Sequence, residues 1–173
     1  MTNHVHVVAV PGGEESLART FREVHGRYAQ YRNAVECRTG QVWQNRYYWC
    51  ACETSRMGSV MRYVELNPVR AHLVGSAGDY AWSSALIHLG ADDPLDLVDL
   101  ELWRSQWSCE DWAEVLRDGA EESAAIREST YSGRPFGAEA FVESLEQQLD
   151  RRLRRGRPGR PKRRGAPSGT VEN

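Results

Sequence analysis

Two histidines separated by one residue, His4 and His6, are the first side chains whose spacing points to chemistry. On a β-strand alternate residues share a face, so both imidazoles would project from the same side, roughly 6.5–7 Å apart along the backbone. Two rings at that spacing can converge on one metal ion. The competing interpretation is that they are ordinary surface or core histidines, because the pattern alone is weak.

A tyrosine and an asparagine four residues apart, Tyr63 and Asn67, form the second candidate pair. On a helix they would share a face, about 5–6 Å apart. A deprotonated phenol can attack phosphorus, and an amide oxygen is an acceptable ligand for Mg²⁺ or Mn²⁺. Alternatively, Tyr63 is a half-buried core aromatic and Asn67 ends a helix before Pro68. Taken with the histidines, the pair suggests metal-assisted phosphoryl transfer onto a tyrosine.

The elements that would position these residues alternate between strand and helix. Residues 4–10 are rich in β-branched side chains and predict a strand, and residues 41–50 predict another with a turn. An apolar stripe at spacings of three and four predicts a helix over residues 14–35. Further helices are predicted from Thr54 or Ser55 to near Asn67, at 109–118 and at 138–153, with irregular chain from 75 to about 100.

The composition excludes some classes of protein. No run approaches 18 apolar residues, and no basic segment followed by an apolar one opens the chain, so neither a membrane span nor a secretory signal is predicted. Four cysteines without zinc spacing favour reduced thiols and a cytoplasmic protein. The net charge of -2 is unevenly spread, because residues 151–164 hold nine of the 22 basic residues and no acid.

Four segments in order resemble the HUH-type single-tyrosine transposases, in particular the REP-associated tyrosine transposases. They are residues 1–8 with His-Val-His, 43–48 beginning Trp-Gln-Asn-Arg, 62–71 reading Arg-Tyr-Val-Glu-Leu-Asn-Pro-Val-Arg-Ala, and 79–84 reading Asp-Tyr-Ala-Trp-Ser-Ser. The resemblance covers about residues 1–90 well and the basic tail loosely.

The resemblance implies an α+β fold, a ferredoxin-like α/β sandwich with His4 and His6 on a central strand. It implies that Asn67 is the third ligand of a Mg²⁺ or Mn²⁺ ion and that Tyr63 is the nucleophile. Tyr63 would then form a 5′-phosphotyrosine linkage with single-stranded DNA beside a hairpin. The chain would divide into a partial catalytic domain (1–90), a helical region (91–153) and a disordered basic tail (154–173).

Two departures from that family stand out. Members usually carry a strand and a helix before the histidine strand, so the sequence predicts an N-terminally truncated relative with an incomplete sheet. The residue after Trp-Gln in the second segment is Asn45, where the family usually has glycine.

Several basic residues are candidates for contacting DNA. Arg46, Arg62 and Arg70 would touch the backbone beside the site, or else be solvated surface arginines. The tail resembles the core of an AT-hook and is predicted to contact phosphates, mainly without sequence selectivity; its candidates are Arg155, Arg157, Arg160 and Lys162.

Three functions remain open from the sequence. The first is a metal-dependent, tyrosine-nucleophile transposase acting as a monomer or homodimer. The second is a truncated relative that binds hairpin DNA without cutting it. The third is a metal-binding structural protein unrelated to DNA.

Overall fold

The computed structural model describes residues 4–44, 46–118 and 123–154, and regular structure within these ranges is helical. Two single 3₁₀ turns, Thr54–Arg56 and Ala77–Asp79, accompany the α-helices. None of the helices described is long and apolar enough to cross a bilayer. The α-helices in chain order are α1 (Ser16–Val35), α2 (Met57–Glu65), α3 (Asn67–Arg70), α4 (Ala85–His88), α5 (Leu100–Arg104), α6 (Cys109–Arg117), α7 (Ser123–Ser132) and α8 (Glu139–Leu149).

The predicted ferredoxin-like sandwich is wrong, because the described residues form no sheet. Within the ranges that the structure describes, neither residues 4–10 nor residues 41–50 form a strand. The one isolated bridge found there is parallel and joins Cys52 to Phe136. β-Branched side chains favour a pleated, half-buried surface, but a strand also needs a neighbour to take its backbone hydrogen bonds. The valines at 5, 7 and 10 instead lie 60% or more exposed.

Helix α1 confirms the helix predicted over residues 14–35. The segment predicted as the second strand packs against this helix. Phe21 stacks on Tyr47 with ring centroids 4.5 Å apart, and His25 stacks on Trp43 at 3.9 Å. Trp43 Nε1 also donates a hydrogen bond to the His25 carbonyl oxygen at 3.0 Å. Trp43 and Tyr47 therefore pack onto α1, and residues 41–44 and 46–50 form an irregular segment.

The helix predicted from Thr54 or Ser55 is confirmed, and it is divided in two at Leu66. Helix α2 ends at Glu65, and α3 begins at Asn67 with Pro68 in its first turn. Proline suits that position because its missing N–H would have no partner inside the helix. Tyr63 and Asn67 thus belong to consecutive helices, although hydrogen bonds from Leu66 N to Arg62 O and from Arg70 N to Leu66 O keep the helical path almost continuous.

The small core lies where α2, α4, α5, α6 and α7 meet. Trp112 is fully buried and Trp103 nearly so. His88 stacks on Trp103 with ring centroids 4.8 Å apart, and Trp107 packs against Trp112 at 5.2 Å. Ile126, on α7, is also buried, and α7 packs against α2. Helices α6 and α8 confirm the helices predicted at 109–118 and 138–153, whereas α4, α5 and α7 were not predicted.

Candidate functional site

The predicted nucleophile and the predicted histidine pair lie together, although they are far apart in the sequence. The rings of His6 and Tyr63 meet edge to face with centroids 5.8 Å apart. His4 also lies against His6, with ring centroids 4.9 Å apart. Tyr63 is half-buried near the end of α2.

Two arginines hold the Tyr63 side chain from different directions. The guanidinium carbon of Arg70 sits 4.4 Å from the centroid of the Tyr63 ring, within the range of a cation–π contact. The same guanidinium donates a hydrogen bond to the Tyr63 carbonyl oxygen. Arg127, from α7, donates from Nε to the Tyr63 phenol oxygen at 3.3 Å. One guanidinium therefore lies over the ring of Tyr63 and another at its phenol oxygen.

His6 is kept neutral at physiological pH. Burial is the largest cause, and the positive charges of His4, Arg70 and Arg127 add to it; together they lower the pKa of His6 from 6.5 to about 4. Each of these makes the imidazolium less favourable than the neutral ring. A neutral imidazole is the form that accepts a proton or binds a metal ion.

Two of the three predicted metal ligands, His4 and His6, lie side by side, and the third, Asn67, is in contact with an arginine. The His4 and His6 rings meet edge to face with centroids 4.9 Å apart. The amide oxygen of Asn67, however, accepts a hydrogen bond from the Arg70 guanidinium. Among the described residues no group of three or more His, Cys, Asp or Glu is placed to hold a metal ion.

The other predicted DNA contacts occupy different environments. Arg62 is half-buried, and its Nε lacks a hydrogen-bond partner within the described ranges. Arg46 is exposed and lines a shallow groove beside α1 with His25 and Trp43. The tail candidates Arg155, Arg157, Arg160 and Lys162 lie outside the described residues.

A buried carboxylate next to the site was not foreseen. Glu65, two residues after Tyr63, is 1% exposed. Its Oε1 accepts hydrogen bonds from Ser84 Oγ at 2.5 Å and from His88 Nδ1 at 2.6 Å, and its Oε2 accepts one from Trp112 Nε1 at 2.9 Å. These bonds tie the last turn of α2 to α4 and α6, so they fix the helix that carries Tyr63.

Arg127 was also missed, and no signal in the sequence would have indicated it. Residues 123–132 carry only Ile126 and Tyr131 as large apolar side chains, too few to make a helical stripe. Glu65, in contrast, sits inside one of the segments that carry the family resemblance, where its apolar neighbours hinted at burial.

No protein-family model, no curated protein and no solved structure matches this chain.

Proposed function

We propose that this chain is a tyrosine-nucleophile DNA strand transferase of the transposase type. The observation that carries the proposal is the meeting of Tyr63 with His6 at 5.8 Å, with a guanidinium hydrogen-bonded to the phenol oxygen. A phenol that attacks a phosphodiester must lose its proton, and a guanidinium at its oxygen stabilises the charge that results.

The reaction is an exchange of one phosphodiester for another. The Tyr63 oxygen forms a bond to phosphorus as the bond from phosphorus to the 3′ oxygen breaks. The phenol proton leaves to water, and the departing 3′ oxygen takes a proton from water to become a hydroxyl. The number of ester bonds is unchanged, so the reverse attack rejoins strands without an energy source.

The chain's own groups supply most of what this reaction needs. Arg70 and Arg127 flank the phenol from two sides, and guanidinium groups match the paired oxygens of a phosphodiester. A Mg²⁺ or Mn²⁺ ion held by His4 and His6 would polarise the phosphate and favour departure of the 3′ oxygen. Single-stranded DNA beside a hairpin, as the substrate, rests on the resemblance of the four segments.

The test is a denaturing gel of the purified chain incubated with Mn²⁺ and a labelled single-stranded hairpin oligonucleotide. We expect a slow-migrating covalent adduct that disappears with EDTA and with Tyr63→Phe. Tyr48→Phe is the matched control, since Tyr48 is 63% exposed and should not affect the reaction. An adduct that persists in Tyr63→Phe would contradict the assignment of the nucleophile.

A second function, hairpin binding without cleavage, is favoured by one observation. The amide oxygen of Asn67 accepts a hydrogen bond from Arg70, and this bond competes with metal binding at that oxygen. The same oligonucleotide distinguishes the two functions. Binding that is unchanged by EDTA and by Tyr63→Phe, with no adduct in the wild-type chain, would support binding alone.

A further inference from the structure

Arg127 reaches the candidate nucleophile from a part of the chain that no sequence motif connects with it. It lies on α7, and its Nε donates to the Tyr63 phenol oxygen at 3.3 Å. The preceding residue, Ile126, is 4% exposed in the core, and α7 packs against α2. The base of the Arg127 side chain is therefore fixed relative to the helix that carries Tyr63.

The contact is made at the reacting atom itself. Arg70 lies over the face of the Tyr63 ring and binds its backbone carbonyl oxygen, so it positions the residue. Arg127 instead touches the phenol oxygen, where negative charge develops as the proton leaves and is lost only as the bond to phosphorus forms. An N–H donor aimed at that atom stabilises the developing charge more than it stabilises the neutral phenol.

We propose that Arg127 is a catalytic residue: it stabilises the Tyr63 phenolate during attack and presents its guanidinium to the scissile phosphate. This assignment rests on the proposed function. Once the new ester has formed, the Tyr63 oxygen carries no charge, and the guanidinium can bind the non-bridging oxygens of the phosphotyrosine. In this scheme the helical C-terminal region supplies part of the active site.

The competing explanation is that Arg127 is an exposed surface arginine whose hydrogen bond to Tyr63 has no consequence. Arg104 provides a matched control for it. It is also exposed and also follows a buried core residue, Trp103, but it lies on α5. Removing it should change the surface charge by the same amount without touching the nucleophile.

The experiment compares Arg127→Ala, Arg127→Lys and Arg104→Ala with the wild-type chain. It measures the single-turnover rate of adduct formation at saturating hairpin oligonucleotide with Mn²⁺, the affinity for that oligonucleotide, and the midpoint of urea unfolding. We expect Arg127→Ala to lower the rate about 100-fold, as does loss of one donor to a developing oxyanion. We expect affinity to change less than about threefold, because one phosphate contact of several is lost. Arg127→Lys should recover part of the rate, and Arg104→Ala should match the wild type.

The outcomes separate the two proposals. A wild-type chain that forms an adduct, with Arg127→Ala equally fast, would overturn the role of Arg127 and leave the proposed function standing. A rate loss that Arg127→Lys does not relieve, accompanied by a lower unfolding midpoint, would show a packing role and would also overturn it. A wild-type chain that forms no adduct would refute the proposed function, and the assignment of Arg127 with it.

Discussion

The carboxylate of Glu65 holds the site's main helix in place, so its replacement is expected to destabilise the whole chain. We consider Glu65→Gln, which keeps the shape of the side chain and removes its charge. Trp112 Nε1 can only donate, so the new amide nitrogen must replace Oε1 and face Ser84 and His88. The Ser84 hydroxyl can turn to accept. His88 must offer a lone pair at Nδ1 and carry its proton on Nε2.

The magnitude follows from that rearrangement. Nε2 of His88 is buried without a hydrogen-bond partner in the ranges described, so a proton there is left unsatisfied at about 1–3 kcal/mol. Three hydrogen bonds that a charged group made become hydrogen bonds between neutral groups, two of them with donor and acceptor exchanged, which loses roughly 1 kcal/mol each. Relief from burying a charge offsets part of this loss. The net decrease in the free energy of unfolding is therefore about 2–4 kcal/mol.

Urea unfolding followed by tryptophan fluorescence measures this directly, because Trp112 donates to the carboxylate and Trp103 stacks on His88. Glu114→Gln is the matched control on α6, where the side chain is exposed, and it should stay within about 0.5 kcal/mol of the wild type. Trp112→Phe combined with Glu65→Gln should be less destabilising than the sum of the single changes. A Glu65→Gln chain as stable as the Glu114→Gln control would refute the buried network.

Three further predictions follow from local features. His6 should titrate by NMR with a midpoint near 4. Between pH 4 and 6.5 the unfolded chain binds more protons than the folded chain, so the free energy of unfolding should rise with pH across that window. A midpoint near 6.5 would contradict the packing of His6. Burial is the main cause that raises the pKa of Cys52 to about 11, and the charges of Cys50 and Glu53 add to it. At pH 8 iodoacetamide should therefore modify Cys52 far more slowly than the exposed Cys37. Equal rates would count against the burial of Cys52. Ser108 Oγ accepts from the backbone N–H of Asp111 at 3.1 Å in a capping box, so Ser108→Ala should lower the free energy of unfolding by about 1 kcal/mol, whereas an unchanged urea midpoint would speak against this cap.

The helices with a clear apolar period could be predicted from the sequence, whereas the short ones could not. The α1 stripe of Leu17, Phe21, Val24 and Tyr28 repeats over several turns, and it predicted the helix within two residues at its start. Helices α4 and α5 span four and five residues, too few to show a period. Their positions depend on Trp103 and His88 meeting in the core, which local spacing does not encode.

The strands were predicted wrongly because side chains that favour a strand form one only where a second strand is present to pair with it. Residues 4–10 carry the side chains that a strand prefers, yet pairing depends on a second segment at the right distance and in the right register. Within the site, the sequence indicated that His6 and Tyr63 belong together and gave no means of finding Arg127. A residue that reaches a site from a distant helix leaves no spacing signal.

The identity of the tyrosine that becomes linked to DNA tests the central claim most directly. After reaction with the hairpin oligonucleotide and Mn²⁺, nuclease and trypsin digestion would leave a nucleotide remnant on one peptide for mass spectrometry. Trypsin cuts after Arg62 and Arg70, so residues 63–70 form a peptide whose one tyrosine is Tyr63, whereas Tyr47 and Tyr48 fall in residues 47–56. The account predicts a 5′-phosphate remnant on the 63–70 peptide. A remnant on the 47–56 peptide, or no modified peptide at all, would contradict it.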